Sequence, residues 1–180
     1  MFVGLMDYFA NQTDNITNYL SFETSTSVDT PEQLFYYVNG SSFYCKSAIE
    51  SECYVGIHLK KNLFAINSFS IQTSFNAVNY SIHPLTWKLI GSNDGINWDI
   101  LDSHQDDDVL NGFSLMVHFS SQEYVVKYIR FVSPSPFKLR TLDFFGSLYP
   151  NNIVFPTCKA IYYFNQNPSI WSQILVFILI

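Results

Sequence analysis

Short runs of alternating apolar and polar residues dominate the chain after Leu20. Tyr54-Val55-Gly56-Ile57-His58-Leu59 puts Val55, Ile57 and Leu59 on one side of an extended backbone, because successive strand side chains point to opposite faces. Ile66 to Thr73 continues the pattern with Phe69 and Ile71, and Phe113 to Phe119 with Phe113, Leu115, Val117 and Phe119. Lys127 to Val132 places Ile129 and Phe131 together, and Leu142 to Phe145 is the last such run. Between Trp87-Lys88-Leu89-Ile90-Gly91 and Trp98-Asp99-Ile100-Leu101 lies Ser92-Asn93-Asp94-Gly95. Asp94-Gly95 supplies the positive φ that a tight hairpin connection needs. We expect this hairpin to pin the register of two core strands, with Trp87 and Trp98 as core residues and Asp94 and Gly95 shaping the turn. A ligand loop is the competing reading of the segment, and the structural one is preferred. Many short strands with frequent turn signals predict an all-β sandwich or barrel.

Two stretches depart from this pattern. Phe2, Leu5, Met6 and Phe9 fall at helical spacing, which predicts a short helix over Val3 to Phe9, weakened by Gly4. At the other end, Ile170 to Ile180 is strongly apolar but shorter than the about 20 residues that a helix needs to cross a bilayer. Its last seven residues are β-prone and uncharged, the signature of an aggregation hazard. A docked element, a weakly membrane-associating tail and a segment without a selected role compete as readings of it.

Composition narrows the class. Aromatic residues make up 18% of the chain and charged ones only 13%, which favours packed strands over disorder. A net charge of −6 opposes a phosphate backbone, so nucleic acid is not an expected partner. The run Asp106-Asp107-Asp108 reads as a solvated loop before a cation site. Cys45, Cys53 and Cys158 do not describe a closed disulfide framework; Cys45 and Cys53 either pair or are buried free thiols. Sequons at Asn11, Asn15, Asn39 and Asn79 matter only in a secreted protein, and no signal peptide is legible, so the expectation is cytoplasmic.

Motifs for hydrolase, zinc-peptidase, nucleotide or dinucleotide chemistry are absent from the sequence, and His58, His83, His104 and His118 are scattered. No enzyme is expected. His58 reads as a surface or hydrogen-bonded histidine, and Arg130 as one member of a structural ion pair before an anion receptor.

Trp87-Lys88-Leu89-Ile90-Gly91-Ser92-Asn93-Asp94-Gly95-Ile96-Asn97-Trp98 closely resembles the central hairpin of the discoidin (coagulation factor V/VIII type C) family, W-x-L-x-x-S-N-D-G-x-x-W. Tyr37 to Tyr44 is similar to the family's A-x-D-G-x-x-T-x-W turn, Tyr54 to Leu59 to its W-I-x-V-D-L strand, and Ile66 to Thr73 to the strand that follows. Lys127-Tyr128-Ile129-Arg130-Phe131 and Leu142-Asp143-Phe144-Phe145-Gly146 resemble its later strands. The pieces occur in the family's order over about Ser21 to Gly146. Cysteines that many extracellular members carry at the domain ends are missing, Asn39 stands for an Asp, and His58 stands in another Asp position. Phe2 to Phe9 is similar to the F-x-G-I-I-x-Y-L lead-in of intracellular members.

The resemblance implies an eight-stranded jelly-roll β-sandwich of the galactose-binding-like superfamily. The expected organisation is a lead-in over 1–20, the sandwich over 21–149, and a linker with an apolar tail over 150–180. It also implies a non-enzymatic module that binds a glycan or a protein through loops at one end, with Phe35, Tyr36 and Tyr37 as the candidate ligand loop. These rings covering the end of the sandwich is the competing reading. Some relatives hold a structural Ca²⁺ near the first turn; Asp29, Glu32 and Asn39 are the corresponding candidates, and no other cofactor is expected. An intracellular protein-interaction domain, or a shortened relative of a larger protein, is the alternative.

Overall fold

The computed structural model describes residues 4–10, 15–25, 30–35, 42–46, 52–74, 82–111, 116–149 and 153–155. Helix α1 (Leu5–Ala10) and a short 3-10 helix (Ile16–Asn18) precede strand β1 (Leu20–Thr24). Helix α2 (Glu32–Phe35) then leads to β2 (Phe43–Cys45), β3 (Cys53–Leu59), β4 (Leu63–Thr73), β5 (Trp87–Ser92) and β6 (Asp99–His104). The remaining strands are β7 (Met116–Val126), β8 (Tyr128–Ser133), β9 (Phe137–Tyr149) and β10 (Ile153–Phe155).

These strands form two antiparallel sheets. Sheet A has the order β1-β3-β8-β5-β6; sheet B has the order β10-β9-β4-β7, with β2 also paired to β9. The core lies between them. Val55, Ile57 and Leu59 of β3 are buried, as their alternation predicted, while Tyr54 and His58 face outward and are only half-buried. Trp87, Phe43, Phe64, Phe69, Phe131, Phe137 and Phe144 are fully buried. The Trp87 ring stacks on Phe131 at 5.2 Å and meets Phe69 and Phe119 edge-on, so one indole touches strands of both sheets.

The all-β sandwich agrees with the sequence reading; its limits differ in detail. Ten strands occur among the described residues, where the resemblance implied eight. The helix expected over Val3 to Phe9 occupies Leu5–Ala10. Leu5, Met6 and Phe9 belong to the main core, so the lead-in is packed into the sandwich. Its anchor is Asp143 of β9, whose carboxylate accepts the Met6 N–H at 3.0 Å and its neighbour Phe144's N–H at 2.8 Å. Beyond Tyr149, where the sandwich was expected to end, β10 adds an edge strand with Ile153 opposite Leu148 and Phe155 opposite Gly146. The apolar tail over 156–180 lies outside the described residues. Among those residues, no helix is long and apolar enough to cross a membrane.

The hairpin needs one correction. Trp87 is in the core, but Trp98 is not: it is half-buried and precedes β6, an edge strand in which Leu101 alone is fully enclosed. A register shift between Leu89 and Ile90 is the reason, because a bulge breaks the alternation that would carry the inner face from β5 into β6. Asp94 is exposed and shapes the turn as expected without being a core residue. Its carboxylate accepts the N–H groups of Ile96 and Asn97 (both 2.8 Å), the Asn97 side-chain amide (2.7 Å) and the Ser92 hydroxyl (3.0 Å). Gly95 takes φ +74°, a conformation that a side chain would strain.

Candidate functional site

Antiparallel strands divide their connections between the two ends of the sandwich. One end holds the short links, 60–62 between β3 and β4, 93–98 between β5 and β6, and Lys127 between β7 and β8. At the opposite end β1, β2, β4 and β6 finish and β3, β5 and β7 begin, with longer stretches of chain between them, and the 134–136 turn lies there as well. Long loops on a rigid scaffold are where recognition is usually built, so the long-loop end is the candidate site.

Two of its loops are laced together. The Asp107 N–H donates to Leu85 O at 2.9 Å, and the Asp106 N–H to Thr86 Oγ1 at 3.1 Å. The Thr86 hydroxyl donates to Asp106 Oδ1 (3.4 Å), while the Ser133 hydroxyl donates to Thr86 O (3.0 Å). Asp106 adopts φ +50°, a region that Asp tolerates better than most side chains. His104 stacks on the buried Trp87 ring at 4.2 Å and lies between two carboxylates, with Nδ1 against Asp107 and Nε2 3.6 Å from Asp102. The His104 hydrogen bond, helped by the Val109 N–H, holds the Asp107 carboxyl below the usual carboxylate range. Burial depresses His83 beneath this rim, so its neutral form is favoured, with hydrogen bonds to Asn111 and Ser74 acting in the other direction.

The result is a fixed acidic rim. Asp106 and Asp108 are exposed, Asp102 and Asp107 half-buried, and Leu85 presents an apolar side chain beside them. Carboxylates of this kind accept hydrogen bonds from hydroxyl groups. The sequence singled out Asp106 to Asp108, but it missed His104, Thr86 and Asp102, which meet them through loop packing that no local spacing encodes.

The candidate residues from the sequence divide sharply. Phe35 ends α2, is 5% exposed, stacks on Phe22 at 5.4 Å and lies against Phe144. Its ring covers the core, the competing reading of that segment. Tyr36 and Tyr37 lie outside the described residues. So do Asp29 and Asn39 of the Ca²⁺ candidates; Glu32 is half-buried on α2. Among the described residues, no group of three or more His, Cys, Asp and Glu side chains is arranged to hold a metal ion.

On the outer face of sheet A, Arg130 pairs with Glu23 through Nε (2.8 Å) and one terminal nitrogen (2.7 Å). Its guanidinium also lies 4.1 Å from the Trp98 ring centre and 4.6 Å from that of Tyr54. Arg130 faces Gly56, which in turn faces Glu23. A Cβ on Gly56 would stand 2.3 Å from Ile129 O and 2.7 Å from Arg130 Cγ, so the arginine crosses β3 where there is no side chain to cross. Tyr128 is covered by His58, stacked at 4.1 Å, and by Gly95. Arg130 is thus engaged by one carboxylate and two aromatic rings, as befits a structural ion pair.

No family model matches the chain, and no curated protein matches it. Solved structures do share its fold. The module CpGH89CBM32-5 of Clostridium perfringens, solved in complex with GalNAc-β-1,3-galactose, is similar with a TM-score of 0.56 at 14% identity, over 71% of this chain and 95% of the module. CpGH89CBM32-6 of Clostridium perfringens has a TM-score of 0.54 at 16% identity, over 77% and 98%. A chitosan-binding module from a chitosanase/glucanase of Paenibacillus sp. IK-5 has a TM-score of 0.53 at 12% identity, over 70% and 94%. The chain therefore shares the β-sandwich fold of these carbohydrate-binding modules.

Proposed function

We propose that this chain is a non-enzymatic glycan-recognition module that binds through the long-loop end of the sandwich. The observation that carries the reading is the extent of the likeness: nearly the whole of each carbohydrate-binding module is matched by this one sandwich. Two features of the chain support the choice of end. The loops concentrate there, and the rim of Asp102, Asp106 and Asp108 offers fixed acceptors for sugar hydroxyls beside the apolar Leu85. Tyr36 and Tyr37, adjoining α2, are the candidates for stacking on a sugar ring.

The test is a glycan array probed with the full chain, carrying galactose- and GalNAc-terminated glycans, uronic acid oligomers and chitosan oligomers. A signal should appear for at least one class. Tyr36→Ala and Asp108→Asn should each weaken it while leaving the melting temperature unchanged. A blank array with a folded protein, together with one protein that co-purifies specifically, would replace this reading with protein recognition.

A further inference from the structure

Cys45 ends the short strand β2 and Cys53 begins β3 at the long-loop end, but on different sheets. Cys45 is opposite Phe137 of β9 in sheet B, and Cys53 is opposite Ser133 of β8 in sheet A. The turn from Ser133 to Phe137 already joins those two strands, so the cysteines sit against the point where the sheets come together. Both are free thiols and both are fully buried. The Cys53 thiol donates to Cys45 O at 3.4 Å, and the Cys45 thiol lies 3.9 Å from Tyr54 O, the main chain next to Cys53. Cys45 Sγ also lies 3.2 Å from the Ser25 hydroxyl, which is held by the Tyr54 N–H at 2.9 Å. Each buried thiol thus reaches the main chain beside the other cysteine, a proximity from which a disulfide can be built.

We propose that Cys45 and Cys53 are a thiol–disulfide clip that ties the two sheets together at the loop-bearing end. In the oxidised form two S–H bonds are replaced by one S–S bond. The two protons and two electrons pass to a low-molecular-weight disulfide such as oxidised glutathione, which leaves as two thiols. Burial, reinforced by the neighbouring thiol, pushes Cys53 up to about 12. The folded thiol is therefore a poor nucleophile, and the bond forms during folding or when this end opens. The clip closes a ring of residues 45–53 and restricts the unfolded chain, which stabilises the native state. It is independent of which ligand, if any, the rim binds.

The experiment uses the full chain and its Cys158→Ser variant, each refolded in glutathione buffer at an oxidising or a reducing ratio. Peptide mapping of the oxidised product should show a Cys45–Cys53 link. Its melting temperature should exceed that of the reduced product by about 5 °C, a difference erased by dithiothreitol. Cys45→Ala and Cys53→Ala should melt at one temperature in both buffers. Retention of both thiols under the oxidising ratio would overturn the proposal. So would capture of either cysteine by glutathione, or a linked product that melts below the reduced one.

Discussion

Trp87 and Trp98 flank the same hairpin and live in different physical surroundings. Trp87 is sealed between the sheets, with Phe131 against its face and Phe69 and Phe119 at its edges. Trp98 lies on the outer face of sheet A, where its neighbours are the Arg130 guanidinium and Tyr128. The inner indole acts by removing apolar area from water and filling volume. The outer one covers a cation whose charge is balanced by Glu23. Identical residues in one motif thus perform unrelated tasks, and the bulge at Leu89/Ile90 separates them.

The sharpest way to break this contrast is truncation. Trp87→Ala should cost about 3–5 kcal/mol, while Trp98→Ala should cost about 1–2 kcal/mol, read from urea unfolding midpoints. Equal losses would mean that the outer stack belongs to the core after all. Next comes Gly56→Ala, whose new Cβ meets Ile129 O and the Arg130 side chain; about 1–3 kcal/mol should be lost. A Gly56→Ala protein as stable as the parent would show that Arg130 does not need the open path across β3. A double-mutant cycle of Glu23→Gln and Arg130→Met should return a coupling of about 1 kcal/mol, diminished by salt. No coupling would reduce that ion pair to a surface contact.

Titration gives the smallest effects and divides the regions differently. Burial holds His58 and His83 below the ordinary histidine value, so the unfolded chain binds protons more readily than the fold does. Their contribution is present above about pH 6.5 and declines as pH falls below it. A melting temperature that does not drop between pH 7.5 and 5.5 would contradict this, and His83→Gln should flatten the drop. Asp94 acts lower on the scale. The N–H groups of Asn97 and Ile96 hold its carboxyl far below the usual range, so its contribution is present above about pH 4 and is lost in stronger acid. Asp94→Asn should lower the melting temperature by more at pH 7 than at pH 2.

Much of the fold was legible because it rests on local alternation. Val55, Ile57 and Leu59, or Ile129 and Phe131, announce a half-buried strand without any knowledge of their partners. The extra length of β7 was not visible, since Ser120-Ser121-Gln122-Glu123 carries no apolar face. Nor was the outward position of Trp98, because a bulge leaves no compositional trace. At the candidate site, aromatic content alone drew attention to Phe35, yet an aromatic residue beside a turn serves equally well as a plug for the core. The rim around His104 depends on contacts between loops about 20 residues apart, such as Thr86 with Asp106, and a pattern-based reading has no access to these.

The bond between Met6 and Asp143 also bears on how the molecule assembles. Its partners are 137 residues apart in sequence, and the helix it anchors is buried against β9, a strand made long after it. During synthesis, Leu5, Met6 and Phe9 must wait for β9 before their apolar side chains find cover. A fold closed by such distant pairings has a high contact order and folds slowly. Helix α1 leaves the ribosome well before β9, and its apolar side chains stay open to chaperones over that interval.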